Sequence, residues 1–310
     1  MSKEDDAIGM LLMMICANSG CTIADSGGKD STVIKHLALK AHDKYGLKFK
    51  IRHNHTTVDA PETVYYVRDQ KKIFDDMWIE YEISKPKKCM AELIIQHKTP
   101  PTRRMRYCCA ELKENTGFGE KLVTGVRKAE SANRRENQGL ITFPKPNKKL
   151  VDTANDSSNF RQTDKGGVVV LNLDNSETRE IVESCYRTHK TLINPIVDWS
   201  DYDLWKYIGD EGLYDGLNPL YHCGFNRVGC IGCPMSGKHR WKEFQRYPKY
   251  KDYYIRAFGK MLKVREESGL KNMDYWTNAE KVFKWWMEDD NCDGQMSIDT
   301  MGNITEDYTT

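Results

Sequence analysis

Ser26-Gly27-Gly28-Lys29-Asp30-Ser31 puts two glycines, a lysine, an acid and two hydroxyls on one short break in the chain. Glycines let a backbone turn sharply with successive N–H groups facing one way, which forms a concavity for an anion. A helix beginning beside Ser31 adds its positive amino end. Together these suit phosphate or sulfate oxygens, with Lys29 as a point charge and Ser26 and Ser31 as hydroxyl donors. The string is not a Walker loop, because the G-x-x-x-x-G-K-[ST] spacing is absent. Asp25, the acid just before it, opposes anion binding unless Lys29 or a metal ion offsets it, or unless its side chain turns away into solvent.

Sulfur is the second candidate chemistry. Of ten cysteines, Cys108 and Cys109 are adjacent, and Cys223, Cys230 and Cys233 follow as C-x6-C-x2-C. A C-x2-C pair places two thiolates about one turn apart, within reach of one metal centre. On spacing alone, four thiolates suit an iron–sulfur cluster or zinc. Cys16, Cys21, Cys89 and Cys185 are scattered and read as small buried hydrophobes. Cys292 stands among Glu288, Asp289, Asp290 and Asp293. Acidic neighbours raise a thiol's pKa, so Cys292 is a poor nucleophile.

The elements that must position these residues alternate. Cys21–Asp25 reads as a strand. Val33, Ile34, Leu37, Ala38 and Ala41 then fall at helical spacing. A strand over 47–51, a helix from Pro61, and strands over 78–83 and 121–126 follow. Such alternation predicts an α/β fold, a mostly parallel twisted sheet flanked by helices, with ligands at the carboxyl ends of the strands. Residues 137–176 are polar and turn-rich. They read as an insertion, either a flap over a site or a surface loop, with a strand in GGVVVLNLDN. Ser200 is a candidate N-cap with Asp203 three residues on. From Trp241 the chain reads as helical, its aromatics Tyr253, Tyr254, Phe283, Trp285 and Trp286 serving as core. The expected division is an N-terminal helix over 1–20, a nucleotide-binding domain over 21–235 and a helical C-terminal portion over 236–310.

With 47 basic and 45 acidic residues among 310, the formal charge is only +2, so no global field argues for wrapping a duplex. The apolar run 7–17 is shorter than the ~20 residues that span a bilayer. Its preceding charges are mostly acidic, unlike a signal peptide. The expectation is a cytoplasmic chain with no membrane partner, in which disulfides are rare and clustered cysteines point to metal or redox chemistry.

SGGKDS resembles the PP-loop of the adenine nucleotide alpha-hydrolase-like superfamily. Asp59-Ala60-Pro61-Glu62-Thr63, Gly125-Val126-Arg127, NPIVDWSDYDLWKYI and NPLYHCGFNRVGCIGCP resemble segments of its phosphoadenosine phosphosulfate (PAPS) reductase family, cluster-bearing type. The resemblance runs from about Cys21 to Cys233. It implies that Ser26, Gly27, Gly28, Lys29, Asp30, Ser31, Asp59, Glu62, Thr63, Gly125 and Arg127 bind the nucleotide, with Lys29 and Arg127 as the catalytic charges. It also implies that Cys108, Cys109, Cys230 and Cys233 hold a 4Fe-4S cluster, with zinc the alternative metal and Cys223 an alternative ligand. The implied reaction is reduction of PAPS or APS to sulfite, with thioredoxin or glutathione as thiol donor. The family's cysteine nucleophile lies in a C-terminal Glu-Cys-Gly-x-His segment, and Cys292 matches it poorly. Two alternatives therefore stand. One is an ATP pyrophosphatase that uses Mg2+ and directs sulfur into nucleic acid, as in DNA phosphorothioation or tRNA thiolation. The other is a non-catalytic nucleotide-binding protein. A homodimer is compatible with each.

Overall fold

Short runs of β-branched and aromatic residues, each ended by a glycine or polar turn, make the strands. The computed structural model describes residues 2–14, 20–114, 116–117, 119–172, 178, 180–182 and 190–288; Cys16, Cys185 and Cys292 lie outside them. The strands are β1 (Cys21–Ala24), β2 (Phe49–Asn54), β3 (Tyr81–Ser84), β4 (Lys121–Val123), β5 (Ile141–Phe143), β6 (Phe160–Gln162), β7 (Val168–Val170) and β8 (Thr191–Ile193). They form one sheet in the order β3-β2-β1-β4-β8-β5-β7-β6. The five strands from β3 to β8 are parallel, with Ile23 level with Ile51 and Val123. The last three are antiparallel to their neighbours.

The sheet strands belong to a compact unit made of residues 1–86 and 111–229. Helices α1 (Lys3–Met14), α2 (Lys29–Tyr45) and α3 (Pro61–Asp76) precede β3. Val33, Ile34, Leu37, Ala38 and Ala41 lie on the buried face of α2 and pack with Ile23, Ile51 and Val67. Burial of each large aliphatic chain there contributes ~1.5–3 kcal/mol. Gly46, at φ 72, ends α2 in the left-handed conformation and donates to the carbonyls of Ala41 and His42. Pro61 opens α3 at its first position, where a backbone N–H would have had no acceptor within the helix.

The stretch expected as a loop or flap is sheet and helix as far as residue 172. Strands β5, β7 and β6 extend the sheet past β8, and residues of Lys148–Asp156 pack with them. Ile141, Phe143, Leu150, Phe160, Val168 and Val170 form their core. Each of these strands is three residues long; Val168–Val170 is the strand expected in this stretch, while β5 and β6 show no period against their polar surroundings.

A second unit comprises residues 87–110 and the described residues from Cys230 onward. It holds α4 (Met90–His97), α5 (His239–Arg246), α6 (Pro248–Glu267) and α7 (Ala279–Glu288), whereas the helices 132–137, 148–156 and 201–210 belong to the sheet-bearing unit. Phe244, Tyr254, Phe258, Phe283 and Trp286 meet mostly edge-on or tilted, with ring centroids 4.8–6.5 Å apart. Of the tail aromatics expected as core, Tyr254, Phe283 and Trp286 are buried in this group, whereas Tyr253 and Trp285 are half-buried. No described helix is long and apolar enough to cross a membrane.

Candidate nucleotide site and thiol group

The parallel order places β2 on one side of β1 and β4 on the other. Connections leaving the carboxyl ends of β1 and β4 therefore diverge, and a crevice opens where they part. Residues 25–31 follow β1 and residues 124–127 follow β4, so both expected anion-binding segments sit at this switch point. The approach is close. A Cβ on Gly125 would come within 2.8 Å of the Asp30 carbonyl carbon and 2.9 Å of its oxygen. Gly27 has φ +72, and a Cβ there would press on Thr63 at 3.1 Å. These two glycines are required by contact and by conformation respectively.

Asp25 lies beneath the loop, not in solvent, and its charge is offset by Lys35 rather than by Lys29. Its side chain is 0% exposed. The carboxylate accepts from the Gly27 N–H at 2.7 Å, the Ser31 hydroxyl at 2.8 Å, the Tyr81 hydroxyl at 2.6 Å and the Lys35 ammonium at 2.7 Å. Burial alone would raise its pKa, but Lys35, His53 and these hydrogen bonds outweigh burial and hold it below the usual carboxylate range. The same network drives the Tyr81 phenol far up, through burial first and the Asp25 charge second. Lys35 also donates to Gln70 Oε1 at 2.9 Å and lies over the Tyr66 and Phe74 rings.

The loop's other groups are held from above. The Lys29 N–H donates to Tyr221 Oη at 2.9 Å, and the Gly28 N–H lies 3.4 Å from Ser26 Oγ. The N–H groups of Asp30 and Ser31 belong to the first turn of α2, where a helix supplies no acceptor of its own. Lys29 Nζ is 3.2 Å from Asp30 Oδ2. Arg127 is 1% exposed. Its guanidinium donates to Asp30 Oδ1 at 2.6 Å, Asp201 Oδ1 at 2.8 Å and the Trp199 carbonyl at 3.3 Å. Burial would lower its pKa, and Asp30 with Asp201 raises it instead. Ser200 caps the helix 201–210 by accepting from the Asp203 N–H, while the Asp203 carboxylate accepts from the Ser200 N–H at 2.8 Å.

Asp59 accepts from the Thr56 N–H and hydroxyl, both at 2.7 Å, and so shapes the turn before α3. Glu62 is half-buried in the first turn of α3. Thr63 is buried against Gly27 and accepts from Asn218 Nδ2 at 3.1 Å. The structure thus brings together Ser26–Ser31, Thr63, Gly125 and Arg127. It adds Asp25, Lys35, Asn218 and Tyr221, which sequence reasoning gave no role in holding the loop.

The second unit carries Cys108, Cys109, Cys230 and Cys233, whereas Cys223 lies exposed in the sheet-bearing unit. Gly232 has φ +75, and a Cβ there would fall 2.6 Å from Phe244, so the Cys230–Cys233 turn lies flat on the aromatic core. Glu243 accepts from the Gly232 N–H at 2.7 Å and the Tyr254 hydroxyl donates to the Ile231 carbonyl at 2.9 Å, fixing that turn. Cys108 and Cys109 occupy the helical turn Tyr107–Cys109. A hydrogen bond with Cys109, then burial, then the Cys109, Cys230 and Cys233 charges push the Cys108 thiol far up. Two cysteine pairs far apart in sequence thus share one electrostatic neighbourhood. Among the described residues no group of three or more His, Cys, Asp or Glu is arranged as around a metal ion. The donors fit a soft metal in kind: thiols, drawn from two segments of one unit. Cys21 is a buried thiol pushed up to about 12 by burial, as a small core residue would be. Cys89 is half-buried at the start of α4, where its N–H donates to Glu92, and is not the buried hydrophobe expected.

The curated relative matched is an uncharacterized protein of Methanocaldococcus jannaschii, 25% identical over 265 residues, which are 82% of this chain and 50% of the relative. The chain thus spans about half that relative's length. Solved structures similar to it include a PAPS reductase from Candida auris in a phosphate complex, 16% identical with TM-score 0.41, covering 74% of this chain and 88% of that one. Another is the U34-tRNA thiolase NcsA from Methanococcus maripaludis with its 4Fe-4S cluster, 11% identical with TM-score 0.43, covering 88% and 81%. The phosphoadenosine phosphosulfate reductase domain profile matches residues 20–236, and the chain belongs to that family.

Proposed function

We propose that this chain is an enzyme that binds an adenylyl sulfate nucleotide on residues 26–31 and reduces it to sulfite. The observation that carries the reading is the rigid loop at the β1/β4 switch point, in a chain of the PAPS reductase family. The N–H groups of Asp30 and Ser31, the Ser26 hydroxyl and the amino end of α2 would seat the sulfate or phosphate oxygens. Arg127 would act through Asp30, fixing the start of α2 rather than offering its guanidinium to the ligand. Cys108, Cys109, Cys230 and Cys233 would hold an iron–sulfur cluster, with zinc the alternative. When bound, such a cluster supplies soft metal sites that take sulfur ligands. The two electrons of the reduction would come from a dithiol or glutathione, leaving sulfite, an adenosine phosphate and a disulfide.

A second reading, ATP cleavage to AMP and pyrophosphate with Mg2+ for sulfur transfer to nucleic acid, gains from the acidic residues around Cys292, which make that thiol a poor nucleophile for the first. Anaerobically purified protein incubated in parallel with PAPS, APS and ATP separates the two. Sulfite and adenosine phosphate support the first. AMP and pyrophosphate, with neither sulfonucleotide consumed, sink it.

A further inference from the structure

Tyr221 stands directly over the loop. Its Oη accepts the Lys29 N–H at 2.9 Å, and a Cβ on Gly28 would come within 3.3 Å of that oxygen. The ring is carried by a turn that Asn218 fixes. Asn218 is 0% exposed, its Oδ1 accepts from the Leu220 N–H at 3.1 Å and its Nδ2 donates to Thr63 at 3.1 Å. Trp205 meets the ring edge-on at 6.2 Å. The phenol is thus a rigid fixture of the loop.

A phenol offers one O–H donor and two lone pairs. Here one lone pair is used by Lys29, and the O–H has no acceptor among the described residues. Burial pushes the Tyr221 pKa up to about 12, so the proton stays on through the physiological range. By taking the Lys29 N–H and holding out its own O–H, the tyrosine carries one donor of the cradle outward by the length of a hydrogen bond. Resting on the reading of residues 26–31 as a nucleotide site, we propose that Tyr221 is a ligand-binding residue whose O–H donates to an anionic oxygen of the phosphate or sulfate seated there.

The opposite role, a plug that occupies the Lys29 N–H and must leave, predicts the opposite sign, so one variant decides. Binding of ATP, AMP and adenosine to the full chain is measured by calorimetry, for the wild type and Tyr221→Phe. A hydrogen bond to a charged acceptor corresponds to at least about a tenfold loss for ATP and AMP. Adenosine, which has no anionic end, should bind Tyr221→Phe as it binds the wild type, a pattern that a merely loosened fold would not give. Equal or tighter nucleotide binding by Tyr221→Phe overturns the proposal while leaving the nucleotide site intact. Failure of the wild type to bind ATP or AMP overturns the site itself and the proposal with it. If Tyr221→Phe does not fold, Tyr221→3-fluorotyrosine replaces it: a more acidic phenol is a stronger donor, so AMP must bind more tightly, and unchanged or weaker binding overturns the role.

Discussion

Replacing Asp25 by Asn tests whether the acid beneath the loop holds the sheet-bearing unit together. The carboxylate takes four donors, from Gly27, Ser31, Lys35 and Tyr81. An Asn side chain has one accepting oxygen and turns an N–H₂ toward donors, so at least two of the four lose their partner. Lys35, whose side chain is 2% exposed, is left with Gln70 Oε1 and two aromatic faces. Breaking a buried ion pair from one side costs ~3–5 kcal/mol, which for a chain of this size lowers the melting point by roughly 10 °C. Lys35→Met should cost less, about 3 kcal/mol at the low end of that range, because the carboxylate keeps three neutral donors. Together the two substitutions should cost about 2 kcal/mol less than the sum of the singles, since the second removes a charge the first has stranded.

The assay is urea unfolding of the whole chain for the four members of the cycle, followed by circular dichroism and tryptophan fluorescence. The pH dependence gives a second arm. Asp25 has a folded pKa held below its unfolded value. Its stabilisation is therefore fully present above the ordinary carboxylate pKa and is lost as pH falls through the folded value. The gap between wild type and Asp25→Asn should narrow as pH falls below about 5. Additive costs across the cycle, or a gap that widens in acid, would refute the reasoning.

Gly125→Ala forces a methyl group against the Asp30 backbone, 2.8 Å away. It should destabilise the chain by about 1–3 kcal/mol in the same unfolding assay. Arg127→Lys keeps the charge but cannot reach Asp30, Asp201 and the Trp199 carbonyl together. A loss of about 1–2 kcal/mol is expected, along with weaker nucleotide binding by calorimetry. After anaerobic reconstitution, Cys230→Ser should lose bound iron and the visible absorption band, while Cys223→Ser keeps both; the reverse result would move the ligand set to Cys223.

The first half of the sheet was legible because each parallel strand ends at a marked break. Cys21–Ala24 stops at the loop, and Pro61 announces α3. Past that half, β7 was legible as a run of three valines, but β5 and β6 were not, since each spans three residues set among polar turns. The inclusion of residues 87–110 in the helical unit rests on contacts such as the Trp286 indole donating to the Pro101 carbonyl, 185 residues away. No local period encodes a pairing of that kind. The glycine-rich loop itself was readable from residue types. Its supports were not, because Asp25 is answered by Lys35 two turns into α2 and Lys29 by Tyr221, 192 residues on. One signal was available. Lys35 sits four residues after Ser31 and three before Ala38, so a cation falls on the buried face of α2.

Charge around the cradle decides how an anion can be held. Lys35 is committed to Asp25, Lys29 faces Asp30, and Arg127 bridges Asp30 and Asp201, each with a carboxylate within 3.2 Å. Counting basic residues in the motif therefore overstates its attraction for phosphate or sulfate. What remains is directional: two first-turn N–H groups, the Ser26 hydroxyl and the amino end of a 17-residue helix. Dipoles already held in place need no reorganisation when charge arrives, whereas a long flexible lysine gives up rotamer freedom to reach it. An acid under the proposed anion site is consistent with that design. Lys35 cancels its charge, and its lone pairs are taken by Gly27, Ser31 and Tyr81. Asp25 repels little and aligns the donors that remain.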